Sequence, residues 1–504
     1  MKISFLPLLS SNHIRKLERK YNHTELLEKA STCLYKSLHI IDKAYLKKII
    51  IICGPGNNGA DGLFLASLLI KSQYSVSIFF PNDYASNHKD LINRLDLTAF
   101  IIKDDNFKDA TLIIDGIFGS GLNRKLDNEI SKLIHNINQL SAYKISIDVP
   151  TGLNSEGKQN TSNVLERHNI VKSNLTVSFI SLKKGLFTAQ GRDHWSVIHH
   201  YKLIDEKLTS TTYLFSLDGF ITSGIIFDPK SLEDIIQKDY LKDISANHNA
   251  KKTDARGLII GGNNEYLGAL LLASEAALKT GVRYLTTLSS KNNSKLIPIK
   301  IPEIISHTYN EINNLTLKFN SLLIGPGLGR KKLSEEIFSN FLSLLKNNNN
   351  LPVIVDADGI NLLSQNCFFY DKWILTPHEG EAAQLLDTSV DYIIEDRYRA
   401  TDEIYEKYGG IVALKGAGTI INNGTNTYLC SHGNYGMAMA GMGDCLSGIL
   451  LGLHCMKLTQ IDATLISIGI HSQAADLLAD EFGLIGILPT NVINKVSTIL
   501  NQLK

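Results

Sequence analysis

The 504-residue sequence has few of the features that mark specialised protein classes. Its six cysteines include no CxxC pair, which argues against a disulfide framework or a zinc module and suits a reducing compartment. Lys and Arg total 51 and Asp and Glu total 50, so the net charge of +1 provides no broad surface for nucleic acid. No run of about 18 apolar residues occurs, and Pro7 interrupts the short apolar stretch at the N-terminus. These absences predict a soluble cytoplasmic protein that binds neither nucleic acid nor a membrane.

The composition is that of a folded chain, with 44% hydrophobic and 20% charged residues. The length allows about three domains or two large ones. In both halves, apolar strand patterns that end in glycine-rich or acidic turns alternate with helical patterns. This alternation predicts an α/β fold in which parallel sheets carry helices on both faces. A less regular stretch near residues 205–230 predicts a boundary between an N-terminal domain, 1–215, and a C-terminal domain, 225–504.

The segment CGPGNNGADG, residues 53–62, lies between a predicted strand and a predicted helix. Its glycine spacing matches the dinucleotide-binding fingerprint, although a tight strand-to-helix turn explains the glycines equally well. The segment also contains two amides, Asn57 and Asn58, and an acid, Asp61. A dinucleotide-binding fingerprint for hydride transfer does not require these side chains. Because a helix N-terminus offers free N–H groups, this turn is predicted to bind a polar ligand, with or without a cation.

Two further acids follow predicted strands in the first half, Asp115 and Asp148. The carboxyl ends of parallel strands meet at one edge of a sheet, so these acids are expected to converge with Asp61. The hydroxyls of Ser120 and Thr151 follow in the same turns. This set suits either general acid–base chemistry or a monovalent cation with oxygen ligands.

In the second half, the segment from residue 434 to residue 452 places a Gly-x-Gly-Asp sequence before an apolar helix. The glycine N–H groups predict an anion hole, and Asp444 is then placed to take a proton from a hydroxyl that attacks a phosphoryl group. The sequence KGAGT, residues 415–419, follows a strand and predicts a loop that can approach a nucleotide closely. His378 and its acidic neighbours are predicted to lie in a loop, and their spacing does not match a zinc site.

Taken in order, these motifs resemble those of the bifunctional NAD(P)H-hydrate repair enzymes over nearly the whole chain. The resemblance implies a Rossmann-like NAD(P)H-hydrate epimerase domain at 1–215 and a ribokinase-like, ADP-dependent dehydratase domain at 225–504. It is carried in the first half by CGPGNNGADG, IIDGIFGSGL, SIDVPTGLNSEG and SFISLKKGLFTAQGRDH. In the second half it is carried by LLIGPGLGR, VDADGINLL, ILTPHEGEAAQLL, DRYRA, VALKGAGTII and NYGMAMAGMGDCLSGILLGL.

The same resemblance implies a reaction sequence and its cofactors. The first domain would interconvert the R and S epimers of hydrated NADH and NADPH, NADHX and NADPHX. The second would dehydrate the S epimer at the expense of ADP, releasing AMP and phosphate. A potassium ion would serve the epimerase, magnesium would accompany ADP, and the protein would form a homo-oligomer.

The residues that the resemblance assigns fall into four groups. Asp148 and Asp444 are the expected catalytic groups, and potassium is expected near Asn58, Asp115 and Thr151. The epimerase is expected to bind its substrate through Asn57, Asn58, Gly59, Ala60, Asp61, Gly119, Ser120, Gly121, Leu122, Asn123, Arg124, Lys125 and Asp148. The dehydratase is expected to bind its substrate through Ala269, Gly327, His378 and Asp444, and ADP through Lys415, Gly416, Ala417, Gly418, Thr419 and Gly443.

The sequence departs from the family pattern at a few positions. Ala60 replaces a usual glycine, and a positive φ there would cost alanine on the order of 1 kcal/mol. The segment HNAKKTDARG, residues 248–257, lacks the usual motif at the start of the second half. Three alternatives stay open on the residues alone: a ribokinase-like small-molecule kinase fused to a non-catalytic binding domain, an NAD-dependent dehydrogenase, and an enzyme whose first half has become a binding or dimerisation module.

Overall fold

A computed structural model describes residues 2–122, 124–159, 169–217, 219–220, 223–239, 251, 254–314, 319–347 and 350–502. The chain divides into two compact units. The N-terminal unit comprises Leu6–Thr212 and Phe220–Ile236, and the C-terminal unit comprises Met1–Phe5, Tyr213–Gly219 and Gln237–Lys504. The assignment of one activity to each of 1–215 and 225–504 stays a prediction.

The described residues form helices and strands with the following bounds. The strands are β1 Lys2–Pro7, β2 Ile49–Cys53, β3 Val76–Phe79, β4 Ile101–Ile102, β5 Leu112–Gly116, β6 Tyr143–Ile147, β7 Ser173–Phe179, β8 Trp195–Tyr201, β9 Thr212–Leu217, β10 Ile225–Phe227, β11 Ile236–Asp239, β12 Arg256–Ile260, β13 Tyr284–Ser289, β14 Ile304–Thr308, β15 Ser321–Ile324, β16 Val353–Val355, β17 Trp373–Leu375, β18 Ile411–Leu414, β19 Ile420–Asn422 and β20 Thr427–Cys430. The helices are α1 Ser11–Glu18, α2 His23–Ser37, α3 Asn57–Lys71, α4 Lys89–Arg94, α5 Asn128–Gln139, α6 Leu267–Thr280, α7 Asn293–Lys300, α8 Lys332–Asn347, α9 Asp358–Gln365, α10 Glu379–Leu386, α11 Val390–Glu395, α12 Arg397–Tyr408, α13 Met442–Cys455, α14 Gln460–Phe482 and α15 Pro489–Gln502.

The N-terminal unit is built on a parallel eight-stranded sheet with the order β10-β8-β7-β6-β5-β2-β3-β4. The central strand β2 has the sequence IIIIC and is buried on both faces, as a parallel sheet requires. Ile49 and Ile51 face a core shared with α2 and α3, whereas Ile50 and Ile52 face a core shared with α5. The predicted α/β arrangement with helices on both faces is therefore confirmed for this unit.

The C-terminal unit contains a twelve-stranded sheet with the order β11-β1-β9-β20-β19-β18-β17-β16-β15-β12-β13-β14. The strands from β18 to β14 in this order pair in parallel, and β18, β19 and β20 form antiparallel hairpins. Helices α6, α13, α14 and α15 share one core with the sheet, and α8, α9, α10 and α12 share the other. This unit is also a three-layer α/β structure.

Several elements differ from what the sequence patterns predict. The N-terminal stretch forms strand β1, and part of the stretch treated as irregular forms β9, which is the neighbour of β1 in the sheet. These elements are short, so their apolar patterns are too brief to indicate a strand. Pairing with neighbouring strands in the sheet determines their structure. No helix in the described part of the chain is long and apolar enough to cross a membrane.

Candidate functional site

The N-terminal unit has a cleft of about 440 Å³ beyond the carboxyl ends of β2, β5, β6 and β7. Residues from all three predicted polar turns line it: Asn57, Asn58, Asp61, Gly119, Ser120, Gly121, Leu122, Arg124 and Asp148. Gly59, Ala60 and Lys125 are not among the lining residues. Asn123 lies outside the described residues. The structure thus brings together most of the site predicted for this half.

The glycines between β2 and α3 allow two backbone turns to touch. A Cβ atom on Gly54 would lie 1.6 Å from the carbonyl oxygen of Ile117, and a Cβ on Gly59 would lie 2.0 Å from the carbonyl oxygen of Gly54. Close backbone approach, and not a nucleotide, therefore accounts for these two glycines. Ala60 lies in the first turn of α3 among buried apolar side chains, and its φ is not positive. The penalty considered for alanine at this position therefore does not arise.

Asp148 and Lys183 form a buried ion pair at the floor of the cleft. Lys183 is only 2% exposed, and its ammonium also donates to the carbonyl oxygen of Phe179 at 2.8 Å. Asp148 follows β6 with a φ of 68°, in the left-handed region that few residues other than glycine adopt. The backbone N–H of Ser120 donates to Oδ2 of Asp148 at 3.4 Å. The carboxylate is therefore fixed by three chain segments.

Asp61 is a second buried carboxyl group on the cleft, and it is 6% exposed. Its Oδ1 atom has no hydrogen-bond partner. Burial raises the pKa of Asp61 well above its ordinary value, and the negative charges of Asp148 and Glu18 raise it further. Burial and Asp148 also raise the pKa of Glu18, which lines the same cleft from α1. The cleft therefore holds two acids whose pKa is raised beside one ion-paired carboxylate.

An oxygen-rich cluster lies behind the cleft, around the buried Asp115. Its Oδ1 accepts from the hydroxyl of Thr151 at 2.5 Å, and its Oδ2 accepts from the backbone N–H of Thr151 and the hydroxyl of Ser146, both at 2.9 Å. The Thr151 hydroxyl also lies 3.1 Å from the carbonyl oxygen of Phe118. Burial raises the pKa of Asp115, and the hydrogen bonds from Thr151 oppose that rise. Carboxylate, hydroxyl and carbonyl oxygens are the donors that a hard cation prefers.

In the C-terminal unit, Asp444 lies in the first turn of α13. The helix begins after Gly441, whose φ of 88° allows the chain to enter it from the preceding loop. Burial and the negative charge of Asp356 together raise the pKa of Asp444 to about 7, against the opposing effect of Lys415. A carboxyl group with a pKa near neutrality, at the positive end of a helix dipole, suits a general base for a reaction on an anion.

Lys415 connects the nucleotide loop predicted from the sequence to two acids, Asp356 directly after β16 and Glu381 in α10. Its ammonium lies 2.7 Å from Oδ1 of Asp356 and 3.7 Å from Oε2 of Glu381. Burial alone would raise the pKa of Asp356, but Lys415 holds it below its ordinary value. Burial raises the pKa of Glu381 to about 7. A Cβ on Gly443 would lie 3.3 Å from the Lys415 ammonium, so the Lys415 loop and the start of α13 meet at one place.

His378 is the N-cap of α10, and the predicted loop at residues 379–381 is wrong because these residues are helical. Its Nδ1 accepts from the backbone N–H groups of Gly380 and Glu381 at 3.0 and 3.2 Å, and Glu381 returns a bond to the backbone of His378. This capping box satisfies N–H groups that a loop would leave to solvent. Burial lowers the pKa of His378. Because Nδ1 accepts these bonds, Nε2 is the ring nitrogen that carries a proton, and it lies 3.5 Å from Oε1 of Glu381.

Arg397 fixes the backbone of the Lys415 loop from beneath. Its guanidinium is 1% exposed and donates to the carbonyl oxygens of Leu414, Lys415, Ala417 and Gly418, at 2.7 to 3.3 Å. It also pairs with Glu379 at 3.4 Å. Because each of these carbonyls points inward to Arg397, the loop is held in one conformation.

Of the other residues predicted for this half, Gly327, Gly416, Ala417, Gly418 and Thr419 lie in turns that follow strands, and Ala269 lies in the first turn of α6. Gly327 approaches Ala269, since a Cβ on Gly327 would lie 3.3 Å from the Cβ of Ala269. Thr419 ends the turn between β18 and β19, after Gly416, Ala417 and Gly418. Half of the altered segment at 248–257, residues 248–250, 252 and 253, lies outside the described residues.

Three residues that the structure places at these sites were not assigned roles from the sequence: Lys183, Asp356 and Arg397. Lys183 and Arg397 lie in quoted motifs, but nothing in the sequence shows that a lysine or an arginine is buried. Asp356 carries the same sequence signal as Asp115, an acid that ends a run of buried apolar strand residues. That signal could have identified it.

Comparisons with known proteins match both halves of the chain. Residues 23–185 match a family described as YjeF-related protein N-terminus, and residues 257–498 match a family described as NAD(P)H-hydrate dehydratase. A bifunctional NAD(P)H-hydrate repair enzyme of Coxiella burnetii is 30% identical over 98% of this chain and 99% of its own length.

Two solved structures resemble part of the chain. A ribokinase-like superfamily protein of Enterococcus faecalis is 27% identical, with a TM-score of 0.48 over 52% of this chain and 94% of that one. An ADP/ATP-dependent NAD(P)H-hydrate dehydratase of Bacillus subtilis, co-crystallised with ATP and Mg²⁺, is 25% identical, with a TM-score of 0.47 over 52% of this chain and 94% of that one. From the matches to both halves and the full-length relative, the chain belongs to the family of bifunctional NAD(P)H-hydrate repair enzymes, which join an epimerase to a dehydratase.

Proposed function

We propose that the cleft of the N-terminal unit interconverts the R and S epimers of NADHX and NADPHX, and that the site around Asp444 dehydrates the S epimer at the expense of ADP. The observation that carries the proposal is the presence of two groups of acids, each containing a buried aspartate that is paired with one lysine. Asp148 and Lys183 form the first pair, and Asp356 and Lys415 form the second. The first group lies at the site that the family resemblance implies for the epimerase, and the second lies at the site that it implies for the dehydratase.

For the dehydratase, the proposed role of Asp444 follows from its position and its pKa. The hydroxyl of the hydrated ring would attack the terminal phosphoryl group of ADP as Asp444 takes its proton. Hydroxide is a poor leaving group, and the reaction would convert it into phosphate, which the ring nitrogen can expel. The N–H groups at the start of α13 would stabilise charge that develops on the phosphoryl oxygens. Lys415 would compensate charge on the nucleotide.

The two implied metal ions fit the residues differently. We propose that potassium binds at the oxygen atoms of Asp115 and Thr151, which lie beside the Phe118 carbonyl, and that Asn58 completes the set; the ion would supply a fixed positive charge behind the substrate. Among the described residues, no group of three or more His, Cys, Asp or Glu side chains is arranged to hold a metal ion. Magnesium commonly binds through one or two carboxylates together with nucleotide phosphates, so we propose that it arrives with ADP.

The cytoplasmic location and the homo-oligomer remain proposals. The oligomer is supported by exposed apolar side chains after the catalytic region of the C-terminal unit. Phe482 is 70% exposed and Ile485 is 90% exposed. Neighbouring exposed apolar side chains of this size commonly mark interaction surfaces.

The proposal predicts the outcome of one assay on the full-length protein. We expect a mixture of R and S NADHX, supplied with potassium, magnesium and ADP, to recover its dihydronicotinamide absorbance completely. Recovery limited to the S fraction would show an active dehydratase beside an inactive epimerase. No recovery with ADP or ATP would contradict the proposal and favour a small-molecule kinase.

We further predict that Arg397 positions the nucleotide loop. In Arg397→Lys, one ammonium cannot replace a fork that bonds four carbonyls. Hydrogen bonds to charged groups contribute about 1.5–3 kcal/mol each, so we expect the KM for ADP to rise by about tenfold or more. The kcat should change little, because Asp444 is untouched. Steady-state kinetics over a range of ADP concentrations measures both constants.

Arg399→Lys is the matched control, since Arg399 lies on the same helix but stacks on Tyr392 at 3.9 Å and does not contact the loop carbonyls. Equal KM values for ADP in the two variants would rule out the positioning role. A fall in kcat alone in Arg397→Lys would point to a general effect on folding or chemistry instead.

A further inference from the structure

The N-terminal cleft presents two carboxyl groups with opposite surroundings. Asp148 accepts a hydrogen bond from the Lys183 ammonium and from a backbone N–H group, so its negative charge is compensated. Asp61 is equally buried, but its Oδ1 has no partner and the charges that face it are negative. Both side chains line the same cleft. One group is therefore suited to accept a proton and the other to donate one.

We propose that Asp61 is the proton donor of the epimerisation and that Asp148 is the proton acceptor, in a reaction that opens and recloses the hydrated ring. This assignment rests on the proposed epimerase function and deepens it. It is carried by the unpartnered carboxyl of Asp61 in the cleft and by the ion pair of Asp148 with Lys183. No part of the assignment requires the potassium ion to react.

The proton transfers balance over one turnover. In the substrate, carbon 6 bears the hydroxyl and is bonded to the ring nitrogen. Asp148 takes the hydroxyl proton as the bond between carbon 6 and nitrogen breaks, and the oxygen forms a carbonyl. The electron pair of the broken bond stays on nitrogen, which takes the proton of Asp61.

Reclosure reverses each transfer on the other face of carbon 6. The aldehyde first rotates about the bond between carbons 5 and 6. The nitrogen then attacks the carbonyl and returns its proton to Asp61, while the oxygen takes the proton held by Asp148. Both acids end in the protonation state in which they began, so no external acid, base or oxidant is consumed.

The surroundings of Asp61 explain why it holds the proton that it donates. Asp148 from the end of β6 and Glu18 from α1 are the charged groups that raise its pKa, in addition to burial. Lys183 lines the same cleft, but its ammonium is bonded to Asp148, Ser178 and the Phe179 carbonyl. Arg15 of α1 lies at the cleft as well. Burial and these two negative charges therefore favour the protonated form of Asp61, whose side chain lines the cleft.

The first test compares Asp61→Asn with Asp90→Asn, which changes an exposed aspartate of α4 in the same unit. The assay starts from pure S-NADHX with potassium and no nucleotide, and follows the appearance of the R epimer. We expect Asp61→Asn to lower kcat by about 10²-fold or more and Asp90→Asn to leave it unchanged. A raised KM with an unchanged kcat in Asp61→Asn would mean that Asp61 only binds, and would overturn the proposal.

A second measurement separates this proposal from folding and from the proposed function. Asp61→Asn removes a carboxyl that gains no hydrogen bond at Oδ1, so its urea midpoint should equal or exceed that of the wild type. If the wild type itself forms no R epimer, the epimerase function fails, and not only the role of Asp61. If Asp61→Asn does not fold, the pH dependence of kcat for epimerisation by the wild type still tests the proposal. The kcat should fall at alkaline pH as Asp61 loses its proton. A kcat that stays constant at alkaline pH would overturn the proposal.

The chemical step has its own test in water enriched in ¹⁸O. Ring opening keeps the original oxygen on carbon 6, so the R epimer formed in the first turnover should carry the oxygen of the S epimer. Mass spectrometry of the R epimer measures this directly. Incorporation of one ¹⁸O atom with each inversion would mean that the hydroxyl departs and water returns, and would overturn the ring-opening step.

Discussion

Asp444→Asn is expected to abolish dehydration of S-NADHX while leaving epimerisation intact. Asparagine keeps the shape of the side chain but cannot take the proton of the attacking hydroxyl. General bases contribute about 10²–10⁴-fold to a rate, and we expect a loss of kcat in that range. The measurement is recovery of dihydronicotinamide absorbance with ADP, together with chromatographic separation of the R and S epimers.

The wild-type pH profile gives a second view of the same group. The pKa of Asp444 is raised to about 7, and the base acts only when ionised. The kcat/KM for dehydration should therefore rise as the pH increases through about 7. Asp480→Asn, an exposed change on α14, is the control for both measurements. Undiminished dehydration by Asp444→Asn would sink the assignment of Asp444 as base.

Removing Asp148 is expected to have the reverse effect, so that only the S epimer of a mixture is consumed. Asp148→Asn alone would leave the Lys183 ammonium buried without its partner, which costs about 3–5 kcal/mol and endangers the fold. The double variant Asp148→Asn/Lys183→Met removes both charges together. In that variant we expect epimerisation to fall by at least about 10²-fold and dehydration with ADP to continue.

The N-terminal unit offers a matched control for this double variant. Lys202 and Asp234 form another buried ion pair, 3.0 Å apart, with side chains 2% and 1% exposed. Neither residue lines the cleft. Asp234→Asn/Lys202→Met should therefore keep epimerisation while perturbing a buried pair of the same kind. Equal losses in the two double variants would indicate a structural effect and contradict the catalytic assignment.

The sequence predicted the parts of the sites that depend on strand ends. Asp115 lies near the end of β5, Asp148 follows β6 and Asp444 lies in the first turn of α13 after Gly441, and the cleft brings Asp148 together with Asp61. The sequence did not predict which charged side chains are buried and paired. Lys183 and Arg397 are common residue types, and their roles depend on distant segments that only the folded chain brings near.

Local patterns also failed where long-range contacts decide the structure. The short apolar N-terminal stretch gives no sign that it joins a sheet whose other strands come more than 200 residues later. The loop expected at Glu379 is a helix because His378 and Glu381 cap it reciprocally. This capping box usually has serine or threonine at the N-cap. Because histidine stands at that position here, the sequence pattern does not indicate the cap.

The adjacency of β1 and β9 affects how the chain is made. The ribosome releases β1 first, but the chain must complete Leu6–Thr212 before β9 appears, and β20 follows only after more than 200 further residues. At typical rates of synthesis, β1 waits on the order of ten seconds or longer for its first neighbour. The N-terminal unit has time to fold during that interval, as an insertion within the sheet of the other unit.

A single cut between the two activities would therefore divide this sheet. A fragment that starts at residue 225 would lack β1 and β9 and would expose the edge of β20. Unprotected edges of this kind promote aggregation. Because the N-terminal unit is inserted between β1 and the later strands, the twelve-stranded sheet can be completed only after the N-terminal unit has been synthesised. Each complete chain therefore carries both activities in a one-to-one ratio.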